Sequence, residues 1–97
     1  MYGTVMVGRL RVSPEEAMRA NDEWAREHHP SGYRRTDVLV GDDGRTVVMA
    51  VQFDTKDQYL ALADSPEQDE WWRGVMAPML DGEPTWIDGT WHDTTRA

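Results

Sequence analysis

The sequence contains no cysteine, a single phenylalanine, and no apolar run near the roughly twenty residues that a membrane span needs. Without cysteine there are no disulfides, no thiolate nucleophile and no cysteine-ligated metal, which fits a cytoplasmic location. Positive charge is also scarce: ten Lys and Arg stand against eighteen Asp and Glu, for a net charge of −8. Nucleic acids and anionic membranes both reward a basic face, so neither is an expected partner. The opening "MYGTVMVGRLRV" lacks a basic start leading into a long apolar stretch, so no signal peptide is expected. Glycine loops with phosphate-binding spacing are missing, and the adjacent His28 and His29 have no companion ligands at metal-site spacing. No metal and no other cofactor is expected.

What remains is an ordinary soluble composition over 97 residues, 39% hydrophobic, with five tryptophans to be placed in one modest core. We assign residues 1–93 to a single domain and 94–97 to a polar tail. Residues 2–12 alternate as a strand, with Val5, Val7, Arg9 and Arg11 on one face and Thr4, Met6, Gly8, Leu10 and Val12 on the other. Ser13, Pro14 and Glu16 form a helix start. The predicted helix reaches about His28, with an apolar stripe of Ala17, Met18, Trp24 and Ala25. A strand over 33–40, the turn "GDDG" and a strand over 45–53 make a hairpin. Thr55 with Gln58, then Ser65 with Pro66 and Gln68, open a broken second helix that Pro78 stops. The last strand is expected over 85–92.

The order βαββαβ predicts an α+β, ferredoxin-like domain: a four-stranded antiparallel sheet with helices on one face. Val5, Val7 and the alternation of 45–53 make the other face apolar as well. Such a face on a small domain is an association surface, so a homodimer with facing sheets is expected.

The segments "YGTVMVGRLRVSPEE", "VVMAVQFDTKDQYLALADSPEQDEWW" and "EPTWIDG" resemble those of the antibiotic-biosynthesis-monooxygenase-like family of dimeric α+β barrels. The resemblance implies the barrel dimer, a cavity between helices and sheet, and cofactor-free oxygenation of an aromatic, quinol or polyketide-type molecule. Haem-degrading relatives use an asparagine, a tryptophan and a histidine where this chain has Gly8, Leu62 and Trp71, which argues against haem chemistry. The same comparison points Trp71 into the cavity. Trp72, about 100° further round an ideal helix, is then a packing residue or a partner contact.

Cofactor-free oxygenation needs a base, donors that stabilise the substrate anion, and an apolar pocket. His28 is the first candidate base and His92 the second, because histidine titrates in the useful range. Asn21, Trp24 and His28 share a helical face, and Asn21 interrupts the apolar stripe. Asn21, Trp24, Trp71 and Tyr33 are therefore the candidate ligand-binding residues. Each also has a structural reading: Asn21 bonded to backbone, His28 as a helix end, the tryptophans as core. Arg9 is expected to pair with Asp37 or Asp88. Three readings stay open: a monooxygenase, a non-catalytic small-molecule-binding dimer, and an interaction protein whose interior is filled by Met6, Met18, Trp24 and Trp71.

Overall fold

Three hydroxyl side chains set where the helices begin. Ser13 accepts from the Glu16 amide, Thr55 from Gln58 and Ser65 from Gln68, each at 3.2 Å. Each satisfies one of the amides that a helix start leaves unpaired. Pro14 and Pro66 follow their caps at first-turn positions, where a missing amide hydrogen costs nothing. The computed structural model describes residues 1–95. The tail assigned to 94–97 therefore lies partly outside the described residues.

The elements run β1 (Tyr2–Arg9), α1 (Pro14–Glu27), β2 (Tyr33–Val40), β3 (Thr46–Phe53), α2 (Lys56–Ala63), α3 (Pro66–Trp71) and β4 (Thr85–Thr90). A π-helical turn over Trp72–Met76 and a 3₁₀ turn over Ala77–Met79 continue from α3. The four strands form one antiparallel sheet in the order β2-β3-β1-β4. This is the predicted α+β, ferredoxin-like arrangement. The hairpin turn between β2 and β3 is tied down by Asp43, whose carboxylate accepts from the amides of Arg45 and Thr46 and from the Thr46 hydroxyl at 2.9, 2.8 and 2.7 Å. Gly44 takes the left-handed conformation there, with φ of 72°.

Strand pairing sorts the side chains into two faces. Met6 lies opposite Met49 and Trp86, and Thr4 opposite Val51 and Asp88, all on the helix-covered side. Phe53 and Met6 are the largest fully buried side chains. On the opposite side Val7 lies beside Val48, itself beside Leu39, while Val5 lies between Ala50 and Ile87. That face is uncovered: Leu39 is 67% exposed and Ile87 61%.

Several local expectations are corrected. Met18 is exposed, and the buried stripe of α1 is Ala17, Ala20 and Trp24, shifted round the helix from the predicted stripe so that Ala20 replaces Met18. The first strand ends at Arg9, after which Leu10 bridges Leu80. The last strand ends at Thr90. Arg9 pairs with neither expected carboxylate: Asp37 accepts from Arg35 at 2.6 Å, and Asp88 lies on the helix-covered side, bonded to Tyr59. The second helix does not remain α-helical to Ala77. The Ala77 amide reaches back to the Trp72 carbonyl, the five-residue spacing of a π turn.

Candidate functional site

Between α1, α2, α3 and the inner face of the sheet lies a cavity of about 300 Å³. The sheet supplies its floor through Thr4, Met49, Val51 and Phe53, with Trp86 at the β4 edge. The helices supply Asn21, Trp24, Tyr59 and Gln68 and the adjacent pair Trp71 and Trp72. Both tryptophans reach the cavity, Trp71 as the last residue of α3 and Trp72 as the first of the π turn. Trp72 also meets Trp86 edge to face, with ring centroids 4.9 Å apart.

Trp24 is the best-anchored wall. It is buried, and its indole N–H donates to Oε1 of Gln68 at 2.9 Å. Trp71 lies against it at 5.8 Å, and Tyr33 meets it edge-on at 5.5 Å. The bond fixes Gln68 so that its amide nitrogen remains a free donor. Asn21 also reaches the cavity and engages no protein partner among the described residues. Among the described residues no Lys, Arg or His lines the space, and the one lining carboxylate is Asp69, exposed and ion-paired with Arg73 at 3.1 Å. Tyr59 is half-buried, and its hydroxyl donates to Oδ1 of Asp88 at 3.0 Å. Burial, with the Asp88 carboxylate adding to it, pushes the Tyr59 phenol up to about 12. The site thus offers aromatic faces and neutral donors, in a setting without cations.

Of the residues singled out from the sequence, Asn21, Trp24 and Trp71 line this cavity together. Tyr33 does not line it. Its ring backs Trp24 and Phe53, and its hydroxyl pairs with Thr36 at 2.6 Å. His28 is not brought in either: its ring stacks on Trp24 at 5.5 Å and its Nδ1 lies 3.1 Å from the Trp24 carbonyl, capping the end of α1. His92 is exposed beyond β4, away from the lining residues. Sequence reasoning passed over Tyr59, and saw Gln68 only as a helix-start residue. The hidden signal for Tyr59 was a polar aromatic in a short helix of weak amphipathicity. Among the described residues no group of three or more His, Asp or Glu sits together as a metal site. No described helix is long and apolar enough to cross a membrane.

No family model and no curated protein matches the sequence. Solved structures do match its fold. SnoaB, a cofactor-independent oxygenase from Streptomyces nogalater (mutant N63A), is 16% identical, with 99% of this chain and 97% of that chain covered and a TM-score of 0.75. A monooxygenase from the ActVA-Orf6 gene of Streptomyces coelicolor, in complex with nanaomycin D, is 17% identical, with 99% and 91% covered and a TM-score of 0.72. The "Putative antibiotic biosynthesis monooxygenase" of Nitrosomonas europaea is 21% identical, with 93% and 97% covered and a TM-score of 0.68. The fold is antibiotic-biosynthesis-monooxygenase-like. At these identities the likeness concerns the backbone, and the chemistry of the cavity must be argued from its own side chains.

Proposed function

We propose that this protein is a cofactor-independent, monooxygenase-like protein that takes a planar aromatic molecule of quinol or polyketide type. The observation that carries the proposal is the cavity of about 300 Å³ walled by Trp24, Trp71, Trp72 and Trp86 in a monooxygenase-like fold. Trp24 and Trp71 edge the ring system, while Asn21 and the Gln68 amide donate to its oxygens. A substrate that enters already ionised, its proton released to solvent, is an electron-rich anion able to react with O₂, and those neutral donors stabilise the anion. The tryptophans keep water from it. His28 enters this proposal only as support for Trp24, and His92 has no part in it.

The open sheet face bears Leu39, Ile87 and Val7. We propose that a second copy of the chain covers it, giving a cytoplasmic homodimer with one cavity per subunit.

One observation favours a second reading, a binding module without turnover: no histidine lines the cavity, and the Asp69 carboxylate is already ion-paired. Oxygen consumption separates the two. With a dihydroquinone or an anthrone, the enzyme reading expects protein-dependent O₂ uptake beyond the autoxidation rate. Quenching of tryptophan fluorescence with no added uptake leaves the binding module, and neither signal removes both.

A further inference from the structure

Asn21 and Met49 face two spaces rather than one. Both line the cavity of about 300 Å³, and both also line an adjoining recess of about 20 Å³. Helix α1 reaches this boundary through Asn21, and β3 reaches it through Met49. The walls of the recess are apolar: Met6, Val38 and Val47 from the sheet, Ala17 from α1, and Met76 and Leu80 from the chain after α3. Met6, Met76 and Leu80 are buried, whereas Met18 at the rim is 46% exposed. Asn21 is the single polar side chain of this lining among the described residues. A space of that size holds one molecule of two or three atoms and excludes a ring. Water needs two to four polar partners, and the recess offers only the amide that it shares with the larger cavity. Small spaces with apolar walls stay dry and take apolar gases instead.

We propose that this recess is a dioxygen site, from which O₂ reaches the ring system in the larger cavity past Asn21 and Met49. The inference rests on the oxygenase reading of that cavity and adds the place of its second substrate. Dioxygen is uncharged, diatomic and without a permanent dipole, so its transfer from water to an apolar space is favourable. A planar ligand occupies the cavity beside the tryptophans, and a separate recess lets both reactants be held at once. Methionine suits such walls, because its unbranched thioether adapts to irregular gaps and leaves room for a small guest. Of the six methionines, Met6, Met18, Met49 and Met76 line the recess. Met79 is as buried as Met49, at 8% against 9%, and is not part of that lining.

That difference makes the test internal to the protein. Isotope-labelled methionine methyl groups are followed by nuclear magnetic resonance under raised oxygen pressure, where paramagnetic O₂ speeds the relaxation of the methyls it visits. The enhancement at Met6, Met49 and Met76 is expected to exceed that at Met79 by about threefold or more, the enrichment of an apolar guest in an apolar space. Ala17→Val narrows the recess from the helix, and Val38→Ile narrows it from the half-buried sheet edge by a smaller step that the packing tolerates. In the folded variants the contrast should fall to within about twofold. Equal enhancement at Met79 and the recess methyls, or a contrast unchanged in both variants, overturns the inference. So do magnetisation transfers from water to the Met6 methyl, which would make the recess a hydration site. A contrast without O₂ uptake on any quinol supports the oxygen site and removes only the proposed catalysis. Uptake without a contrast overturns the oxygen site and leaves the catalysis standing.

Discussion

Trp24 and Gln68 lie 44 positions apart and share one hydrogen bond of 2.9 Å, from the indole nitrogen to the side-chain carbonyl. The bond joins α1 to α3 across the top of the cavity. It satisfies a buried indole N–H and fixes which end of the Gln68 amide faces inward. Fold and site therefore depend on the same contact.

Replacing Gln68 with leucine keeps the bulk and removes the acceptor. The backbone amide of residue 68 still caps on Ser65. The unsatisfied indole of Trp24 should lower stability by about 1–3 kcal/mol in a urea titration. Glu67→Ala, exposed on the same helix, should change it by less than about 0.5 kcal/mol and serves as the control.

Trp71 is half-buried on the cavity wall, packed against Trp24 and the edge of the core. Its truncation to alanine should weaken binding of a planar aromatic by about tenfold or more, the loss of one stacking face. Tryptophan fluorescence and calorimetry both report it. An unchanged affinity would place the ligand elsewhere.

Leu39 and Ile87 stand on the uncovered sheet face at 67% and 61% exposure. In the proposed dimer, Leu39→Arg together with Ile87→Arg puts charge into an apolar contact. Light scattering should then change from the mass of two chains to that of one, with an unchanged circular dichroism spectrum. A wild-type mass of one chain refutes the dimer outright.

Asp43 is held at about 2, below its usual 3.8, chiefly by the amides of Thr46 and Arg45 in the hairpin turn. A carboxylate depressed on folding contributes stability that is present above the unfolded value and lost as pH falls through the folded one. Wild type should therefore lose its stability advantage over Asp43→Ala between about pH 4 and about pH 2. Thermal melts of the two proteins across that window measure it, and a constant gap would show that the turn does not depend on the ionised form.

The helix starts were legible because their chemistry is local. Ser13, Thr55 and Ser65 each cap within three residues, and Pro14 and Pro66 confirm the direction. The two faces of β1 were equally readable, since alternation alone separates Thr4 and Met6 from Val5 and Val7. Asp88 shows the limit of that method. It was expected to face Arg9, but its position opposite Thr4 turns it to the helix side, and in a strand one step of register decides the face. Likewise, ideal helical geometry separates Trp71 from Trp72. Both nonetheless line the cavity, and the π turn that follows has no signature in "WWRGVM".

The sequence by itself determined the order of elements, the caps, the hairpin, the split of the first strand into two faces and the shared helical face of Asn21 and Trp24. These follow from periodicity and from hydrogen bonds that close within a few residues. Only the tertiary structure decided that His28 stacks on Trp24 outside the cavity, that Gln68 clasps Trp24, and that Asp88 accepts the hydrogen bond of Tyr59. The last two contacts join residues many positions apart, and the first depends on how α1 packs over the cavity, so their geometry exists only once strand register and helix packing have set the distances.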